Sequence, residues 1–493
     1  MQDKDSELPT ESDPGGILSG KPVSRRDFLK IAGIGGATVA MGAGLGGIVA
    51  ACGGSTTTTT AATTASTTAT TAGATTTTVA SSTTSVTAAP TAGRDIKLGL
   101  VSPKTGNFAT FAIADDWYVA RAKDALKAGI VTGDGKQRQI QIIVADSQSD
   151  SNRAAQVAGD LINNSSVDML LASGTPDTAN PVADQGEAGG TPTLLSFAPW
   201  QACFIRNGKL QTFKWAYGNM LGSEETIASF TDAFDASGVA TNKKVGMLFQ
   251  NDADEQGWMD PSAAPLVFKQ KGYTLVVPEP YSIPAEDFTK QISQFKNAGC
   301  EIICGTNDPP WFSNFTKQAL QQGFQPKFIS SGKALIFPQA VVTYPNNGLG
   351  MIGEAAWHPS WKIKDTLSDL DSQGLADDYE AKTGQQWTAA IGCYAKLEWA
   401  IDVYKRATNP EDKSSVVTAI LATNNTFQQG KIDFTSPVDA NSFHPIVNNY
   451  KSYIGAQQWI KGTGKWPVEP VVVSIAAAPG TTVQAKAVPM TYS

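Results

Sequence analysis

From Ile96 onward the chain alternates short apolar runs with amphipathic stretches, and at Glu224 the alternation begins again. Nothing else in the sequence narrows the fold as much. Ile96–Val101 (IKLGLV) places Ile96, Leu98 and Leu100 on one face at period two, the mark of a strand. Residues 115–128 read as a helix stopped by Gly129, and 139–147 as a second strand. Within 152–163, Ala154, Val157, Ala158, Leu161 and Ile162 recur at helical spacing and form one apolar face. A strand at 168–173, a helix at 177–187 and a strand at 192–197 complete the first series. The second series predicts helices at 224–237, 288–298 and 311–322, a partly helical 260–271, and strands at 244–250, 273–277, 300–305, 327–330 and 351–356. Such alternation is the pattern of a parallel sheet covered by helices. Two successive series predict an α/β protein of two similar lobes, and the chain from Arg94 to Ser493 is long enough to need two cores.

The front end is of another kind. Ser24–Lys30 (SRRDFLK) sets Arg25 and Arg26 before an uncharged, glycine-rich run, Ile31–Ala51. A charged region, an apolar region and small residues before a cut site are the grammar of an export signal, and twin arginines point to the route that carries folded cargo. Val49-Ala50-Ala51-Cys52 looks like a lipobox, in which Cys52 is lipidated. Residues 1–51 are therefore expected to be a signal peptide. An uncleaved membrane anchor is the alternative, because the run is long enough to span. Gly42–Gly47 matches GxGxxG, but no strand and helix frame it as a dinucleotide site requires. Residues 53–93 are mostly threonine, alanine and serine and cannot bury enough apolar surface to fold. With Cys52 they make 52–94 a lipidated, disordered tether of roughly 30–40 Å root-mean-square span.

Composition excludes several functions. The net charge is −7 and no basic run occurs, which argues against nucleic acid and anionic lipid surfaces. The two histidines, His358 and His444, make a multi-histidine metal site a poor fit, and neither metal nor cofactor is expected. Cys300 and Cys304 lie on one expected strand, roughly 13 Å apart, too far for a disulfide; the pairing of Cys203 stays open. There is no GxSxG, GxxxxGK[ST], HExxH or CxxC, so the machinery of common enzymes is missing. His358, followed by Pro359, is assigned to packing or a cleft edge rather than to acid–base chemistry.

A series of phrases, in order, resembles a known family. They are IKLGLVSPKTGNFA (96–109), GTPDTANPVAD (174–184), VGMLFQNDADEQG (245–257), DFTKQISQFKNAGCEIICGT (287–306), QALQQGFQPKFISS (318–331) and AAIGCYAKLEWAIDVY (389–404). The family is that of extracytoplasmic solute-binding proteins of the branched-chain amino acid type, which serve ABC importers. The resemblance implies a type I periplasmic-binding fold, two Rossmann-like lobes joined by three crossovers. These are placed near Lys214, Gly350 and Asn425, giving one lobe of 95–214 plus 351–425, another of 215–350 plus 426–475, and a tail of 476–493. It also implies a monomer outside the cytoplasm, held to the membrane only by its lipid, that closes on a small solute and hands it to a permease and ATPase. A ligand-sensing ectodomain of the same fold is the alternative, disfavoured because no signalling module follows in the sequence.

Ligands of open parallel sheets bind beyond the carboxyl ends of the strands. Tryptophans 117, 200, 258, 311 and 357 all follow strands, and a closing cleft would cover them; sealing helices against the sheet is the other explanation. Trp117, Trp200 and Trp357 are taken as site candidates, with Thr105 in the loop after the first strand. In proteins of the resembled family the loop carrying Gly174, Thr175, Asp177 and Thr178 supplies hydroxyls and amides suited to a carboxylate, unless it is a plain helix cap. The loop Ser196-Phe197-Ala198-Pro199-Trp200 matches the next binding loop, with Ala198, Pro199 and Trp200 taken as candidates, and Asp254, Gln256, Gly257, Asn307, Asp308, Gly332 and Lys333 come from the second lobe. Amino-acid binders of the family tend to place an acid after the FISS-like strand, where this chain has Gly332-Lys333. Lys333 would repel an ammonium unless Asp252, Asp254 or Asp308 offsets it. An aromatic or aliphatic carboxylate, an amide or a urea-like solute is thus at least as well suited as an amino acid.

Overall fold

The computed structural model describes residues 89–492. Arg25, Arg26, Cys52, the GxGxxG match and most of the tether lie outside the described residues. Among the described residues no helix is long and apolar enough to cross a membrane.

The first sheet contains β1 (Ile96–Ser102), β2 (Ile140–Asp146), β3 (Met169–Ser173), β4 (Thr193–Pro199) and β5 (Ala216–Leu221). All neighbours are parallel, in the order β2-β1-β3-β4-β5. Helices α1 (Asp115–Ala125), α2 (Ser151–Asn163), α3 (Pro176–Ala188) and the short α4 (Trp200–Phe204) lie in the connections. Local chemistry explains them. Asp150 caps α2 by accepting from the Arg153 amide at 2.7 Å. Ala154, Val157, Ala158 and Leu161 are buried on one side of α2, and burying a leucine of this kind contributes about 1.5–3 kcal/mol. At Gly99 an added Cβ would sit 3.1 Å from Leu161 Cδ1, so the missing side chain lets α2 approach the sheet.

The second sheet repeats that order. After α5 (Ser223–Ala236) come β6 (Lys244–Phe249), α6 (Ala253–Trp258), β7 (Thr274–Val276), α7 (Thr289–Ala298), β8 (Ile302–Thr306), α8 (Pro309–Gln321), β9 (Phe328–Ser331) and β10 (Ile352–Ala355). These strands are parallel, ordered β7-β6-β8-β9-β10. Two antiparallel strands, β11 (Ile454–Lys461) and β12 (Val468–Ala477), extend the β10 edge.

The mixed α/β architecture expected from the sequence is present. Several elements were not read there: β5, α4, α6 and the β11–β12 pair. In β5, AYGNML carries glycine and asparagine, both depleted in strands, yet every residue is buried. The tail after β12 is also fastened. Gln458 Nε2 donates to the carbonyls of Gly350 and Val488, each at 2.7 Å, and the Tyr492 hydroxyl donates to Pro326 O at 2.6 Å.

The chain leaves the first sheet after Leu221 and leaves β10 after Ala355. The third crossing corrects the expected position near Asn425. The hairpin Asn424–Asp433 and its sequel stay with the first half: Phe434 stacks on Trp399 at 5.8 Å and meets Tyr217 edge-on at 6.0 Å. The chain then runs beside β5, where the Tyr450 amide donates to Gly218 O and the Ser452 amide to Met220 O, before entering β11. The passage at Tyr450–Tyr453 thus lies alongside the first crossing, and Lys451 ties it to α5 through Glu224 (3.2 Å) and Glu225.

Candidate functional site

Both sheets have the doubly wound order in which the carboxyl ends at the switch point form a crevice. The switch lies between β1 and β3 in the first sheet and between β6 and β8 in the second. The two crevices face each other across a small cavity of about 20 Å³, room for about one water. From the first half it is lined by Phe111, Gly174, Phe197, Pro199 and Leu221; from the second by Asp254, Trp258, Thr306, Lys333, Ile336 and Glu354. The halves touch around it. Phe111 meets Phe337 edge-to-face at 5.0 Å, and an added Cβ at Gly257 of α6 would lie 3.0 Å from Ala202 of α4.

Phe197 is held at φ 64°. A bulky side chain in the left-handed region is strained, and such strain concentrates at functional sites. Its ring packs on Phe111 at 6.3 Å.

The polar floor belongs to the second half. Lys333 is buried with its ammonium 2.8 Å from Asp252, 2.9 Å from Asp254 and 3.1 Å from Asp308. Burial alone would favour the neutral amine, but the three carboxylates outweigh it and hold Lys333 charged well above its ordinary range. The cage is braced from behind. Gln250 donates to Asp308 at 2.8 Å, the Tyr281 hydroxyl donates to Asn307 Oδ1 at 2.9 Å, and Asn307 donates to Ser331 Oγ at 3.2 Å. Burial, then Lys333 and the Asp252 charge, leave the Asp254 carboxyl raised. Glu354, 5% exposed on β10, makes no hydrogen bond or ion pair among the described residues. Burial, with Asp254 adding to it, pushes Glu354 up to about 8. No cluster of His, Cys, Asp and Glu among the described residues is arranged to hold a metal ion.

The α3 loop is less open to a carboxylate than its sequence implies. Pro176 has no N–H, and the amides of Thr178 and Ala179 both donate to Thr175 O. The Thr178 hydroxyl does the same at 3.2 Å. Thr175 is buried with its hydroxyl unpartnered. Burial and the Asp252 charge raise Asp177 to about 6.

Of the sequence candidates, Gly174, Pro199, Asp254 and Lys333 line the cavity, and Asp308 and Asn307 stand behind it. Ala198 points into the core on the other side of the sheet. Thr105 is exposed, and its hydroxyl donates to Asp146 at 2.7 Å. Gln256 is exposed on α6. The tryptophans chosen lie elsewhere. Trp117 packs edge-on against Tyr379 and donates to Asp378 at 2.9 Å. Trp200 donates to Glu224 at 3.2 Å beside the first crossing. Trp357 is sealed in the core with its N–H on Gln428 at 3.0 Å. Each turns from the cavity because α/β packing also needs large rings behind the strand ends. Trp258 is the tryptophan that lines it. Phe197, named within its loop, also lines it, whereas Phe111, Leu221, Thr306, Ile336 and Glu354 were missed. A single carboxylate inside the apolar run MIGEAAW was the one legible signal among them.

Cys203, Cys300, Cys304 and Cys393 are free and buried. His358 packs on Trp387 at 5.0 Å beside the second crossing, and burial lowers it to about 4, so it is neutral at pH 7.

Two doubly wound halves meeting at the carboxyl ends of their strands, with a small cavity between them, define a two-lobed cleft protein. The chain belongs to the periplasmic binding protein family, whose model matches residues 95–448. Solved structures agree with the fold. A leucine binding protein, LivK, from Thermotoga maritima is 17% identical, with 76% of this chain and 97% of that chain covered at a TM-score of 0.61. LivJ from Streptococcus pneumoniae, in complex with isoleucine, is 17% identical over 77% and 99%, at 0.59. An ABC-transporter solute binding protein from Rhodopseudomonas palustris, in complex with 3,4-dihydroxy benzoic acid, is 17% identical over 78% and 99%, at 0.59.

Proposed function

We propose that this protein is the solute-capturing component of an ABC importer, a lipoprotein held by Cys52 outside the cytoplasm. Its two lobes close on a small solute and present the closed form to a permease. The observation that carries the reading is the cavity, whose walls come from the strand ends of both sheets at once. A ligand that touches both walls only when they meet shifts the open–closed balance by its differential affinity for the two forms. The residues proposed to contact it are Phe111, Gly174, Phe197, Pro199, Asp254, Trp258, Thr306 and Glu354. The lobes are proposed to hinge at Leu221–Ser223, Ala355–His358 and Tyr450–Tyr453. The similar proteins bound to isoleucine and to a hydroxylated benzoate support a small organic solute.

Small-angle scattering decides this. With a solute found by thermal-shift screening, the radius of gyration is expected to fall and the melting temperature to rise with the logarithm of ligand concentration. An unchanged radius at saturation would count against closure.

A further inference from the structure

The cavity's charge pattern names a ligand class. The floor carries Asp252, Asp254, Asp308 and Glu354 against one cation, Lys333. Lys333 is already shared among three aspartates, so it offers an incoming anion little. Asp177 of the first half faces the same cluster. In that half Lys396 is buried and spent on Tyr118 Oη and Ser173 Oγ, both at 2.9 Å, with Asp115 close by. No arginine lines the cavity.

Glu354 is the one carboxylate of the floor without a partner among the described residues. It does not stand alone in space. A Cβ built on Gly332 would lie 2.8 Å from Glu354 Oε1, 3.2 Å from Thr306 Oγ1 and 3.3 Å from Trp258 Cζ2, so an acid, a hydroxyl and an aromatic edge converge there. The rest of the lining is Phe111, Phe197, Pro199, Leu221 and Ile336. A buried carboxylate and an apolar wall match a cation on a hydrocarbon body. At α3 the amides of Thr178 and Ala179 are already donated to Thr175 O.

We propose that the cleft, widening around this small cavity, takes a small primary amine, protonated, on an uncharged apolar body, with its ammonium on Glu354 and Thr306 and its body against Phe111, Phe197 and Trp258. This rests on the capture reading above and deepens it. Lys333 is then a resident cation that fills the aspartate cage, and Glu354 is the acid left for the guest. Because the empty site keeps Glu354 protonated up to about 8, an arriving ammonium displaces that proton.

The test uses the purified protein with isoamylamine and phenethylamine, their carboxylate counterparts isocaproate and hydrocinnamate, and leucine and phenylalanine. Calorimetry at pH 7 is expected to give amine dissociation constants at least about tenfold below those of the carboxylates and amino acids. The binding heat should vary with the buffer's ionisation enthalpy, reporting release of a proton. Glu354→Gln should weaken amine binding about tenfold or more and abolish the release, with circular dichroism checking its fold; the buffer dependence of the unmutated protein stands even if that variant does not fold. Tighter binding of carboxylates or amino acids, or amine binding without proton release, overturns the assignment and leaves solute capture intact. If no compound binds and the radius never changes, both fail.

Discussion

Lys333 and Glu354 show how one residue's meaning depends on its partners. Removing the ammonium by Lys333→Met would leave Asp252, Asp254 and Asp308 buried without a counter-charge. Breaking a buried ion pair in this way costs about 3–5 kcal/mol, so the urea midpoint should fall sharply. Glu354 makes a different prediction, and its sign follows from linkage. Its ordinary value is 4.5 and its folded value about 8, so between those limits the folded state holds more proton than the unfolded chain. The stability this contributes is full below about 4.5 and is lost as pH rises through about 8. Glu354→Gln removes that loss. Its melting temperature relative to the unmutated protein should therefore climb between pH 5 and pH 8, and a difference flat across that range would refute the burial of this acid.

At the scale of elements, α4 and α6 form a tight contact between the halves. Gly257 leaves no room for a side chain against Ala202. Gly257→Leu is expected to wedge the halves apart, raising the radius of gyration and weakening solute binding, while circular dichroism stays unchanged because α6 is exposed when the cleft opens. Away from the cleft, Leu161→Ala on α2 removes a buried side chain that packs against β1 and should cost about 2–5 kcal/mol with no effect on affinity. The split between these two variants separates closure from stability.

For the whole molecule, the proposed closure would bring carboxylates together from both sides. Burial, with the charges of Asp252 and Asp308 from the opposite half, raises Asp177 to about 6. Groups raised by closing bind protons on closing. Without ligand, the radius should therefore be smaller at pH 5 than at pH 8, and high salt, which screens exposed charge, should narrow the difference. A radius independent of pH would mean that the halves do not approach through this acidic face.

Much of this architecture was written in local pattern. Period-two strands and the apolar face of α2 depend only on neighbours a few residues away, so the doubled α/β series was legible from Ile96 to Ala355. The loops after β3, β4 and β8 were legible too, because a strand's end is marked by where its apolar run stops. Long-range pairing decided the rest. That Lys333 is caged by Asp252, Asp254 and Asp308, that Glu354 faces a void, and that Trp258 lines it while Trp117, Trp200 and Trp357 are packed away depend on which side of a strand end each residue leaves, and on what the other sheet puts opposite. The third crossing moved to Tyr450–Tyr453 for the same reason: Phe434 finds Trp399 and Tyr217 only after the chain has folded back. Sequence specifies the elements because their energetics are local; charge balance and concavity are properties of distant residues brought together, and exist only in the tertiary structure.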